Sequence, residues 1–151
     1  MSVYRNLLLA IHLVGGAAWL GGNLTQLFVS RHLFRHTDDT AERWAKTVQN
    51  MAQRYYNLAG TVLVTTGVLM VIQGPYEFRD GFVIVGISTV TIGGLLGVFV
   101  FAPTAKRIAQ SANQRDESAF SSLVTRYRNE ALLDTTFVLT TIVAMVWKWK
   151  S

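Results

Sequence analysis

Four long apolar stretches dominate the sequence and constrain its fold. They lie at about residues 4–30, 55–73, 82–102 and 130–148. A bilayer core about 30 Å thick is crossed by roughly 20 predominantly apolar residues in a helix. None of the stretches alternates between apolar and polar residues as membrane-barrel strands do, and lipid does not tolerate unpaired backbone groups. The sequence therefore predicts an all-α integral membrane protein, an antiparallel four-helix bundle that forms a single domain over residues 1–151.

The charge distribution agrees with a membrane protein. Charged residues make up 15% of the chain, against about 25% in a typical soluble domain, and they concentrate between the apolar stretches. A net charge of +5 would suggest a nucleic-acid partner for a soluble protein. Beside apolar runs, basic residues are better explained by topology and lipid headgroups. We therefore expect a lipid bilayer and no nucleic acid as partner.

The first stretch could be mistaken for a cleaved signal peptide, because Arg5 precedes it and small residues follow at Gly21 and Gly22. Its apolar character continues to Val29, however, and three further apolar stretches follow. We therefore interpret it as a retained helix. The chain has no cysteine, which excludes disulfides, thiolate metal sites and cysteine nucleophiles.

The connections between the stretches are uneven. Residues 31–54 and 103–128 are long and charged, and their largely Gly- and Pro-free segments predict helical extensions, capped near Asp38 in the first case. Residues 74–81 are short enough to join the second and third helices as a hairpin. Pro103 is expected to end the third helix.

Basic residues predict the orientation. Each long connection carries five Lys or Arg residues, whereas the opposite side of the bundle carries four. The side richer in basic residues is normally cytoplasmic. We therefore expect a multi-pass protein of the cell inner membrane with both termini outside the cytoplasm, and with His12 in the outer half of the first helix.

One face of the first helix is small, polar and titratable, and it points to a cofactor site. His12 is the only histidine inside an apolar run, and a neutral imidazole can hydrogen-bond, shuttle a proton or bind a metal. Gly15 and Gly16 would clear space for a bulky planar ligand, and Trp19 would form a wall of that pocket. The alternative is a structural histidine bonded to a neighbouring helix. The residues that share this face are His12, Gly15, Gly16, Trp19, Gly22, Asn23 and Gln26.

Asp134 is the second ionisable residue of interest. It lies near the start of the fourth stretch, where we expect a structural ion pair with an arginine of the same leaflet, and a proton relay is the alternative. The candidate arginines are Arg31, Arg54 and Arg107. Glycines of the second and third stretches, including Gly60, Gly93 and Gly97, predict close helix packing, and room for a flat cofactor is the alternative.

The order of motifs in the chain resembles that of a known group of proteins. The motif IHLVGGAAWLGG comes first, then a basic segment and three further apolar stretches, and PTAKR follows the third stretch of the chain. The sequence resembles a family of small integral membrane proteins of unknown function. That family is similar to the copper-resistance protein D membrane domain and to the bacterial membrane protoporphyrinogen oxidase family. These share a first-helix histidine, a tryptophan seven residues later and a Gly-rich step, here His12, Trp19, Gly21 and Gly22.

The resemblance implies haem b bound through His12, with redox chemistry or electron transfer as the function. The later-helix lysine of the oxidase-like relatives has no counterpart in residues 82–102, because Lys106 follows Pro103. A homodimer that shares haem between two His12 side chains would supply the second axial ligand. The alternatives are a non-catalytic subunit of a larger membrane complex and, more weakly, copper or small-solute transport.

Overall fold

The structure, a computed structural model, describes residues 3–147 as four long helical rods without a strand in that range. Each rod is long and apolar enough to cross a membrane. The prediction of an all-α, antiparallel four-helix membrane bundle is confirmed. The first rod is α1 (Val3–Leu33) and the fourth is α6 (Glu117–Trp147). The second rod consists of α2 (Asp39–Asn50), a π-helical turn (Met51–Tyr55) and α3 (Tyr56–Ile72). The third rod consists of α4 (Gly81–Leu96), a second π-helical turn (Gly97–Phe101) and α5 (Ala102–Gln114).

Two short turns join the rods at one end of the bundle, which we call the connection end. These turns are residues 34–38 and 115–116, and the longer turn 73–80 lies at the opposite, terminal end. The predicted helical extensions are therefore present as α2 and α5. Asp38 caps α2, because its Oδ1 accepts a hydrogen bond of 2.8 Å from the Ala41 N–H.

The prediction that Pro103 ends the third helix is wrong. The rod continues through Pro103 into α5 without a break. The π-helical turn directly before it changes the hydrogen-bond register, since the Ala102 N–H bonds to the Gly97 carbonyl five residues back. Proline lacks an N–H and crowds the preceding turn. The wider π turn accommodates both defects at the place where a regular helix would have broken.

The connection end has the core of a water-soluble helical protein. Ala45 and Val48 of α2 and Ala105 and Ile108 of α5 are completely buried. Their small or compact side chains let α2 and α5 pack closely. Tyr127 of α6 is 1% exposed and belongs to this core. Its ring packs edge-on against an aromatic ring of the turn 34–38.

The remaining length of the bundle is apolar on the outside. Large aliphatic and aromatic side chains are exposed along α1, α3, α4 and α6, as expected where lipid replaces water. Inside, Gly15, Gly60 and Gly93 lie directly against side chains of neighbouring helices. Examples of the exposed apolar residues are Leu13, Leu58, Ile84, Leu95, Leu133 and Val146.

Candidate functional site

His12 is held by α3 through one edge of its imidazole ring. Its Nδ1 lies 2.8 Å from Oγ1 of Thr66. The Thr66 hydroxyl donates to the Val62 carbonyl oxygen at 2.6 Å, so Oγ1 is the acceptor and Nδ1 carries the proton. A Cβ on Gly67 would lie 3.3 Å from Cε1 of the ring, which places this same edge against α3.

The second ring nitrogen, Nε2, is bonded to the same Cε1 atom and is the nitrogen that Thr66 does not use. His12 is only partly buried, and the polar partners found for its ring within residues 3–147, Thr66 Oγ1 and the Leu63 backbone, both belong to α3. With the proton on Nδ1, Nε2 carries the lone pair. This is the protonation pattern of a metal-binding histidine, whose other nitrogen donates to a protein oxygen.

The other three predicted cofactor residues are distributed between an open side and the helix interface. A Cβ on Gly15 would meet Leu63 at 3.2 Å, so Gly15 is used for packing against α3. The position of a Cβ on Gly16 has no atom within 4 Å. Trp19 is 4% exposed and lies inside the bundle. The structure therefore brings His12 and Gly16 to an open side, and it separates Gly15 and Trp19 from that space.

His12 would offer a haem one nitrogen donor. It is the one histidine inside an apolar stretch of the sequence, and residues 3–147 contain no group of three or more His, Asp or Glu side chains suited to a metal ion. The side of the ring that carries Nδ1 and Cε1 lies against α3. A planar macrocycle held at Nε2 would therefore lie towards the outside of the bundle, where it would meet lipid or a second protein chain.

A second polar site lies deeper in the bundle, around the carboxyl group of Asp134. Asn23 Nδ2 of α1 donates to Asp134 Oδ2 at 2.7 Å, and both side chains are buried. No ion pair to Asp134 is found among the described residues, so the arginine partner expected from the sequence is replaced by an amide. Asn23 is eleven residues beyond His12, or about 16 Å along α1.

This second site surrounds a cavity of about 20 Å³. Two polar groups of its lining, Trp19 Nε1 and the Tyr56 hydroxyl, are buried without a hydrogen-bond partner in the described part of the chain. The Trp19 N–H is near enough to the Asp134 carboxyl to interact electrostatically, although it does not reach hydrogen-bond geometry. The complete lining is Trp19, Asn23, Gln26, Ala52, Tyr56, Gly93, Gly97, Phe101, Ala131 and Asp134.

Both π-helical turns border this cavity. Ala52 belongs to the first turn, and Gly97 and Phe101 belong to the second. A Cβ on Gly97 would lie 3.6 Å from the Ala52 carbonyl oxygen, which shows that the two turns face each other. Single π turns inside α-helices are frequent at functional sites. Because both turns meet around this polar cavity, the cavity is a second candidate site in addition to the one at His12.

The sequence contained part of the signal for this cavity. Helical spacing placed Asn23 and Gln26 on the polar face of the first helix, but it did not connect them to Asp134. Comparisons of the chain with protein-family models, with curated proteins and with solved structures found no match. The functional conclusions below therefore depend on the chemistry of these two sites.

Proposed function

We propose that this chain is a membrane haem protein in which His12 is an axial ligand of haem b. The carrying observation is the hydrogen bond between His12 Nδ1 and Thr66 Oγ1, which orients the ring and leaves the Nε2 lone pair for iron. Histidines that bind metals nearly always have such a second contact. When bound, haem would supply one-electron redox chemistry, and the function would be electron transfer or an oxidoreductase reaction.

The proposed haem site involves a second ligand from outside the chain. Within residues 3–147, His12 is the one histidine held between two membrane helices; His32 bonds the Phe28 carbonyl of its own helix. The open surface beside His12 and Gly16 faces away from the bundle. A homodimer with facing His12 residues, or a subunit of a larger complex, would complete the coordination.

Absorption spectroscopy of the purified protein tests this proposal. The protein is expressed with ample haem supply, purified in mild detergent and compared with His12→Ala and His32→Ala. We expect a Soret band in the wild type and in His32→Ala, and its loss in His12→Ala. The matched histidine control separates axial ligation from unspecific haem binding. The proposal would be overturned if the purified wild-type protein is colourless and if adding hemin to it produces no shifted Soret band.

A non-catalytic membrane subunit is the second candidate function. It is favoured by glycines on the outer surface, since Cβ positions on Gly16, Gly21 and Gly94 have no atom within 4 Å. Small residues on the surface of a membrane helix let another helix approach closely. The same spectra separate the two candidates, because an interaction subunit stays colourless and a haem protein does not.

We also propose that the bundle lies in the cell inner membrane with its connection end in the cytoplasm and both termini outside. The support is the excess of Lys and Arg residues in the two connections. Alkaline phosphatase fused after Ser151 should be active, since this enzyme folds only outside the cytoplasm. The matched fusion at His36, in the turn 34–38, should be inactive, and the reverse pattern would invert the orientation.

A further inference from the structure

The cavity beside Asp134 has both the size and the chemistry of a water site. A water molecule needs a cavity of about 10–15 Å³ and two to four polar partners. The cavity volume of about 20 Å³ has room for about one or two water molecules by that measure. An apolar cavity of this size would stay dry, but the residues that line this one include two with amide side chains, one with a carboxyl group, a tryptophan and a tyrosine.

The unpaired groups specify which ligand the cavity accepts. The indole N–H of Trp19 can only donate a hydrogen bond, and it is buried without a partner within residues 3–147. The buried Tyr56 hydroxyl also has no partner in that range. Asn23 donates to Asp134 Oδ2, which leaves Oδ1 to accept a hydrogen bond when the carboxyl is ionised and to carry the proton and donate when it is neutral. Water can accept from Trp19 and can either donate to Oδ1 or accept from it, whereas a bare metal cation would be repelled by the Trp19 donor.

Within residues 3–147, no basic group faces Asp134. Around its carboxyl group, α1 contributes Asn23 and Trp19, α3 contributes the phenol of Tyr56, and α4 contributes the backbone at Gly93. Tyr127, about two helical turns earlier on α6, is likewise uncharged at neutral pH. An isolated carboxylate inside a membrane is expensive, so this group gains stability by taking up a proton.

Two further side-chain hydrogen bonds lie between the cavity and the connection end. Gln26 lines the cavity and accepts a hydrogen bond of 2.5 Å from the Tyr127 hydroxyl. One turn further along α1, Ser30 accepts a hydrogen bond of 2.8 Å from Trp44 Nε1 of α2. Polar side chains therefore continue past the cavity towards α2 at the connection end. In the opposite direction, towards His12, the next buried residue of α1 after Trp19 is Gly15, which has no polar side chain.

We propose that the cavity is a hydrated proton-binding site in which Asp134 exchanges its proton with water reached from the connection end. In the exchange, the O–H bond of the neutral carboxyl breaks and a new O–H bond forms on a cavity water. The products are a carboxylate, stabilised by Asn23 and the free donors, and a hydronium ion that passes the proton to the next water. No electrons move, and the site operates independently of any ligand at His12.

Infrared spectroscopy of the full-length protein in liposomes tests the proposal. The C=O stretch of protonated carboxyl groups is recorded as pH is varied and as H2O is exchanged for D2O. We expect a carboxyl band that titrates, shifts in D2O and is lost in Asp134→Asn. Because Asp134→Asn could fail to fold, Asp134→Glu is recorded as well, and there the band should move to a new frequency.

Two glycine variants test whether the water is in this cavity. Gly97→Ala adds a methyl group to a residue of the cavity lining, and its Cβ makes only an ordinary 3.6 Å contact. Gly94→Ala adds the same methyl group on the same rod where no atom lies within 4 Å. We expect Gly97→Ala to slow the D2O shift of the Asp134 band several-fold, and Gly94→Ala to leave the rate unchanged.

Three results would overturn the proposal. A band that is lost in Asp134→Asn but does not shift in D2O would mean a dry carboxyl group. Identical exchange rates in Gly97→Ala and Gly94→Ala would place the water elsewhere. Spectra of wild type and Asp134→Asn that coincide in the carboxyl region at every pH would mean that Asp134 never binds a proton.

Discussion

Trp19 shows how single residues set the geometry of the bundle interior. Its ring lies between two glycines of other helices, because a Cβ on Gly60 would be 3.1 Å from Cζ3 and a Cβ on Gly93 would be 2.7 Å from Cζ2. The ring also packs edge-on against Tyr56 at 5.7 Å between centroids. The two glycines therefore make room for an indole of this chain, and the indole in turn presents its N–H to the Asp134 cavity.

This packing predicts that Gly93→Ala destabilises the protein. The new methyl group would lie closer to the buried, rigid indole than real contacts allow, and overpacking of this kind costs about 1–3 kcal/mol. The measurement is the thermal unfolding midpoint in mild detergent, followed by circular dichroism. Gly94→Ala is the control and should be neutral or slightly stabilising. Adding Trp19→Phe to Gly93→Ala should recover part of the loss, and a Gly93→Ala protein as stable as wild type would contradict the contact.

The residue scale also separates what sequence could predict about the sites from what it could not. Helical spacing placed His12, Trp19 and Asn23 on one face, because spacing within one helix is a local property. The hydrogen-bond partner of His12, Thr66, lies 54 positions away in sequence, and that of Asn23, Asp134, lies 111 positions away. Such pairs depend on how the helices are rotated against each other, which the pattern of one helix does not contain.

At the scale of elements, the apolar stretches predicted the four rods because length and hydropathy decide what crosses a membrane. The continuation of the third rod through Pro103 was not predictable by the same rule. It depends on a π-helical turn, which is rare and occurs mostly as a single turn inside an α-helix. Hydropathy and length do not indicate where such a turn lies, and here the turns Met51–Tyr55 and Gly97–Phe101 face each other across the cavity.

The whole molecule combines two kinds of stabilisation along one bundle. At the connection end, α2 and α5 bury alanine, valine and isoleucine side chains away from water, and the hydrophobic effect drives that burial. Nearer the terminal end, apolar side chains on the outer surface gain little from packing, because lipid is as apolar as the protein interior. The polar groups of the interior, His12 with Thr66 and Asn23 with Asp134, lie in this second region.

This division predicts losses of very different size for the same substitution at two places. Ile108→Ala removes a completely buried side chain of the connection-end core, and isoleucine-to-alanine changes in such cores cost about 2–5 kcal/mol. Ile84→Ala removes a side chain that is 51% exposed on the outer surface of α4, where a loss of roughly 0.5 kcal/mol or less is expected. Thermal unfolding midpoints of the two variants, measured in the same detergent, should therefore differ clearly. Equal losses would mean that the connection end is stabilised no differently from the lipid-facing part of the bundle.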